Sequence, residues 1–262
     1  MDLNKLVTAL TAYYKSAKIS GSGDFNCSEK EKCKKISEQL EPPREADLGP
    51  HYGDNIPKLL FLSLDRGWSS DNRTIQRGLS WKPGEQEAAR GIEKNQHWYR
   101  TCEIAHRVLS QFDPARINKV EVEDMVGYIA HTNSAKCYQP EKNGKQADSA
   151  LFNNCRKFLK EEVLLFDPDI LVTQGNQAKK AIDEHFCGEN HSYEEIRFKD
   201  LPDLPKKIAK YWIISMGDKK ALWFHTYHPR YFGGFNKQRR EIICSNVMSK
   251  IVKEFYNESK KK

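Results

Sequence analysis

Four cysteines and three polar residues at the ends of apolar runs have types and spacings that could do chemistry. Cys27 and Cys33 lie six positions apart in the charged stretch FNCSEKEKCKK, and Cys137 and Cys155 lie eighteen apart, flanking a loop that leads into a helical pattern. Four thiolates can hold a zinc ion or an iron–sulfur cluster, although neither spacing matches the tight two-knuckle zinc pattern. The plainer reading is four unrelated buried thiols, because cysteine packs as a small hydrophobe. Against it, Cys27 and Cys33 sit where charge leaves no core to be expected. Cys102, Cys187 and Cys244 fall on apolar helix faces and read as packing.

The polar candidates are Asp65, after the run KLLFLSL; Asn133, after VGYIAHT; and His228, after ALWFHT. Each alone has a bland explanation: Asp65 could start a turn, Asn133 could satisfy its own backbone, and His228 before Pro229 could be a surface loop residue. All three, however, fall at the carboxyl ends of expected strands. In open α/β sheets that rim is where loops diverge and ligands bind.

The elements that must position these residues follow from periodicity. Residues 2–18 carry apolar positions at helical spacing, and helices are also expected over about 97–112, 149–165, 176–186 and 237–256. Strands are expected at 58–64, 126–132, 169–174, 210–216 and 221–226, the last two joined by the turn GDKK. Strands alternating with helices imply a layered α/β fold with a mostly parallel sheet. The stretch 19–56 is rich in Gly, Pro and charge and has little core of its own, so it requires a tether. A long loop of turn residues, aromatics and charges follows Asp65.

At 262 residues and 38% hydrophobic content the chain can bury one sizeable core. A single domain over 1–262 is expected, with 1–56 forming a first helix and a cysteine-bearing segment and 57–258 forming the α/β core. The apolar runs are far short of the roughly 20 residues that cross a bilayer. An odd count of seven cysteines without a secretion signal argues against a disulfide framework. A soluble cytoplasmic monomer is expected. The net charge of +7 favours anionic partners, although the terminal ESKKK accounts for part of it.

Together these residues resemble the iron–sulfur uracil-DNA glycosylases, often called family 4, of the uracil-DNA glycosylase superfamily. The block YIAHTNSAKCYQP, continued by NNCRKFLKEEVLLFDPDILVTQGNQAKKAI, is similar to that family's strand ending in Thr-Asn, its Lys-Cys-x-x-Pro turn, its second cluster cysteine opening a helix, and its strand-Gly-helix unit. TYHPRYF resembles its His-Pro-Ser motif and wedge-bearing loop. The similarity spans roughly residues 58–250, with Cys27 and Cys33 where the family has its amino-terminal cysteine pair. The resemblance implies a three-layer α/β/α sandwich with a central four-stranded, mainly parallel sheet. It further implies a structural 4Fe–4S cluster on Cys27, Cys33, Cys137 and Cys155, and excision of a base flipped out of DNA.

Breaking an N-glycosidic bond builds positive charge on the sugar and negative charge on the departing base. Under the resemblance His228 donates to the base oxygen, and Asp65 stabilises the sugar cation or orients water. Asn133 reads the base edge, matching N3–H and O4 of uracil or, turned over, N3 and N4–H of cytosine. Trp68, His97 or Trp98 could stack on the flipped base, or simply pack. Tyr231 and Phe232 could fill the vacated stack while Arg230 holds a phosphate; Arg239 extends the basic surface, or is a solvated helix face.

Three departures bear on the substrate. The family's Gly-Glu-x-Pro-Gly is SLDRG here, the cysteine pair is wider than C-x2-C, and Arg230 replaces the Ser of His-Pro-Ser. A reshaped first motif would suit a phage-defence glycosylase that removes a bulky base such as glucosylated hydroxymethylcytosine. A catalytically silent DNA-binding module is a different class of reading, since a fold alone does not secure an activity. A zinc-stabilised nuclease lacks the paired acidic clusters that metal-assisted cleavage needs.

Overall fold

The computed structural model describes residues 2–19, 27–65, 79, 96–142, 145–187, 194–195, 210–229, 251–253 and 255. Helix α1 (Leu3–Ala17) starts where the Asp2 carboxylate accepts from the Asn4 and Lys5 amides, and it ends at Lys18 in a left-handed conformation (φ 55°). Helix α2 (Lys30–Lys34) and strand β1 (Asp47–Leu48) follow, then strand β2 (Leu59–Ser63). Helices α3 (Gln96–Leu109) and α4 (Pro114–Ile117) precede strand β3 (Ala130–Asn133). Next come helix α5 (Ser149–Phe166), strand β4 (Ile170–Gln174) and helix α6 (Asn176–Phe186). Strands β5 (Glu194–Glu195), β6 (Lys210–Met216) and β7 (Lys219–Thr226) complete the sheet.

Among the described residues, seven strands lie in the order β1-β3-β2-β4-β7-β6-β5. The expected four-stranded parallel unit is the centre, β3-β2-β4-β7. It is widened by antiparallel strands, β1 on one edge and β6 and β5 on the other, so the sheet is mixed. Side chains alternate between two cores. Leu60, Leu62, Leu171, Ala221 and Trp223 pack with α1, α5 and α6; Leu59, Phe61, Ile170, Val172, Leu222 and Phe224 pack with α3. A sheet covered on both faces explains why its central strands read as continuous apolar runs instead of alternating ones. Three layers result.

Three expectations change. The strand expected at 126–132 begins only at Ala130, because Glu123–Tyr128 is a 3-10 helix. There the chain passes against Gly49, where a Cβ would lie 2.4 Å from the Gly127 carbonyl carbon and oxygen. The turn expected over GDKK is the tighter pair Gly217-Asp218, with Gly217 at φ 60° and Met216 opposite Lys219. The stretch 19–56 is not coreless: Ile19, Cys33, Ala46, Leu48 and Tyr52 are buried in the α5-side core. It is also stitched on by backbone bonds, from the Glu41 amide to the Tyr138 carbonyl (3.0 Å) and from the Arg44 amide to the Lys136 carbonyl (3.1 Å). Among the described residues, no helix is long and apolar enough to cross a membrane.

Candidate active site

The carboxyl ends of β3, β2, β4 and β7 form one rim, and the residues of the α3-facing parity change character there. Phe61 gives way to Ser63 and Val172 to Gln174, while His131 and Asn133 occupy the matching positions of β3. A polar pocket floor results where each strand would otherwise continue the core. With neighbouring strands about 4.8 Å apart, the ends of β3 and β7 stand about 14 Å from each other.

Buried polar groups on this floor are chained by hydrogen bonds. The Ser63 hydroxyl donates to Gln174 Oε1 (2.7 Å), and it lies 2.9 Å from His131 Nε2 and 3.4 Å from His97 Nε2. Gln174 Nε2 donates to Thr101 Oγ1 (3.0 Å), and the Thr101 hydroxyl donates to the His97 carbonyl (2.8 Å). The His97 ring lies 5.8 Å from that of His131 and 5.1 Å from that of His228, measured between centroids. Arg100 of α3 donates to the Pro229 carbonyl, fixing the loop that carries His228 beside the same helix.

Asn133 is 9% exposed, and among the described residues its side-chain amide makes no hydrogen bond. Its amide is not among the fully buried polar atoms that lack a partner, so it reaches the surface of the rim and is open to an incoming group. Its backbone is held hard. Downstream, the Ser134 and Ala135 amides donate to the Ser63 and Leu64 carbonyls, both at 2.9 Å. On either side of it, Thr132 Oγ1 donates to Glu162 (3.0 Å), and Lys136 Nζ reaches both Glu162 oxygens at 2.6 Å. The Tyr14 hydroxyl donates to the same carboxylate and accepts from the Ala46 amide (3.0 Å). Burial, with the Glu162 charge beside it, holds the Tyr14 phenol well above its ordinary pKa, so it remains a donor.

Asp65 sits just past β2 with its Oδ2 accepting from the Ala147 amide (2.6 Å). The carboxylate is therefore oriented by the loop that leads into α5. Beyond β4, Gly175 has φ 99°, and a Cβ there would fall 2.9 Å from Leu64. Only glycine lets β4 turn this closely under β2 and into α6.

The four cysteines expected to share a ligand are all buried, at 7%, 1%, 2% and 5% exposure for Cys27, Cys33, Cys137 and Cys155. Asn154 Nδ2 donates to Cys33 Sγ and the Lys136 amide donates to Cys155 Sγ, each at 3.4 Å. Burial pushes the Cys155 thiol up to about 12, with Cys33 and Cys27 close enough to add to the rise. Among the described residues, no three His, Cys, Asp or Glu side chains stand at metal-coordinating spacing. Cys102 is wholly buried in the α3-side core, where packing was expected.

Asn133, Asp65 and His228 thus stand at the carboxyl ends of β3, β2 and β7, on one rim. Trp98 does not present a face there: it is 3% exposed, with its ring 4.5 Å from that of His131, and it packs beneath the histidines. Trp68, Arg230, Tyr231, Phe232 and Arg239 lie outside the described residues. Sequence reasoning passed over Ser63, His131 and Gln174. Their signal was legible: each is a polar residue at the core-facing parity of a strand buried on both sides.

The uracil DNA glycosylase superfamily model matches residues 43–246, a span from the segment before β1 to beyond His228. No curated protein matches the chain.

Proposed function

Because the chain belongs to the uracil DNA glycosylase superfamily, we propose that it removes a uracil or modified pyrimidine from DNA by hydrolysing the N-glycosidic bond. The observation that carries this reading is the open Asn133 amide at the end of β3, on the same rim as the His97–His228 pair. The rigid turn around Asn133 would let one base edge satisfy both its carbonyl and its NH2, and an edge of the wrong pattern would leave buried groups unpaired. His228 would donate to the oxygen on which the departing base gathers charge. Asp65, held by the Ala147 amide, would set a negative charge toward the sugar cation.

Purified protein incubated with oligonucleotides carrying one uracil, or with DNA containing glucosylated hydroxymethylcytosine, is expected to form abasic sites on one of them. Asn133→Ala should slow that release by about 100-fold, the scale of two lost buried hydrogen bonds. Release of neither base would defeat the assignment, and the preferred substrate separates repair from phage defence.

A 4Fe–4S cluster on Cys27, Cys33, Cys137 and Cys155 is part of the same proposal. Its support is the donor set: buried sulfurs, two of them already accepting N–H bonds of the kind that stabilise ligated thiolate. Such a cluster would cross-link α2, the turn after Asn133 and α5. Anaerobically purified protein is expected to be brown with broad visible absorption. A colourless protein with stoichiometric zinc would overturn the cluster assignment while leaving the glycosylase reading intact.

A further inference from the structure

We propose that Ser63 and His131 are positioning residues that lock His97 in a single neutral tautomer against His228. The inference rests on the glycosylase reading only for what His228 does.

The Thr101 hydroxyl has one hydrogen, given to the His97 carbonyl, so Thr101 must receive its contact with Gln174 from the amide NH2. That fixes which way the Gln174 amide points and leaves Oε1 as the acceptor for Ser63. The one Ser63 hydrogen is thereby used. The two imidazoles that reach Ser63 Oγ, at 2.9 and 3.4 Å, must then both arrive as Nε2–H donors, one on each lone pair. Ser63 is fully buried, so no water competes for them.

For His131, Nδ1 is a buried atom without a hydrogen bond, 3.8 Å from Asp47 Oδ2 on β1. Only its Nε2 is therefore tied into the hydrogen-bonded chain, through Ser63. For His97, a proton on Nε2 makes Nδ1 the ring's acceptor, in a ring tilted 33° to that of His228 and 5.1 Å away. A ring free to exchange tautomers would offer His228 two different hydrogen-bonding faces. The chain from Gln174 to Ser63 removes that choice, and it does so from strands whose positions the sheet already fixes.

Long-range 1H–15N spectra of 15N-histidine-labelled protein read the tautomers directly. The expected result is Nε2–H for both His97 and His131 in the wild-type chain. In Ser63→Ala the His97 signals should move to averaged values, with kcat for base release falling about 10- to 100-fold, as when an orienting partner is lost, and KM nearly unchanged. An Nδ1–H tautomer of His97 in the wild type would overturn the proposal. So would an unchanged His97 tautomer in folded Ser63→Ala. The wild-type spectrum is decisive even if the variant fails to fold, and a wild-type chain that releases no base defeats the glycosylase reading without touching the spectrum.

Discussion

Glu162→Ala is expected to lower the folding stability by about 3–5 kcal/mol, the scale of removing one member of a buried ion pair. Glu162 is 0% exposed and Lys136 2%, and the carboxylate accepts from Lys136, Thr132 and Tyr14 at once. Alanine would strand an ammonium and two hydroxyls in the α5-side core, each without the acceptor it was folded around. The damage would not be local. Thr132 and Lys136 bracket Asn133, and Cys137 follows, so the same variant should loosen the open amide and the cysteine turn together. Chemical denaturation reads the stability change. Pairing Glu162→Leu with Lys136→Met, which removes both charges, should recover most of the loss. A single-variant shift below about 1 kcal/mol would mean the network is not the anchor of this turn.

His228→Ala is expected to cut the rate of base release by about 100- to 1000-fold, the usual effect of deleting one donor to a developing anion. Binding to uncut DNA should change little, because affinity for DNA comes largely from phosphate contacts. The Arg100 bond to the Pro229 carbonyl holds the loop without the His228 side chain, which guards against collapse of the site. Asp65→Asn makes the informative companion. Its amide oxygen can still accept from Ala147, preserving the loop tether while deleting the charge. A marked rate loss in Asp65→Asn assigns the carboxylate to the sugar cation, whereas wild-type release would leave Asp65 as a tether alone. Unchanged release in His228→Ala would dismiss His228 as the base-oxygen donor.

Much of this architecture was legible before any coordinates. Helix α6 spans the residues expected of it, and α1, α5 and the four central strands differ by a few residues at their ends. Local periodicity decides such elements, and the turn after β7 and the Thr-Asn end of β3 are visible as strings. The antiparallel edge at β1 was not legible, because β1 has only two residues and owes its form to pairing with β3. The burial of 19–56 was missed for a related reason. Its charged residues set the composition, while the few apolar ones, Ile19, Ala46, Leu48 and Tyr52, do the packing.

Sequence by itself determined which residue types stand at the strand ends: Asp65 after β2, Asn133 closing β3 and His228 after β7. Those positions follow from where each apolar run stops, a property of neighbours along the chain. Only the tertiary structure decided what each group faces. Asp65 turns to the Ala147 amide and Trp98 lies under His131, while Ser63, His131, Gln174 and His97 meet over the ends of three strands. The reason is strand order. Residues 63, 131 and 174 are distant in sequence, and they become neighbours because β3, β2 and β4 lie side by side in one sheet with the same face toward α3.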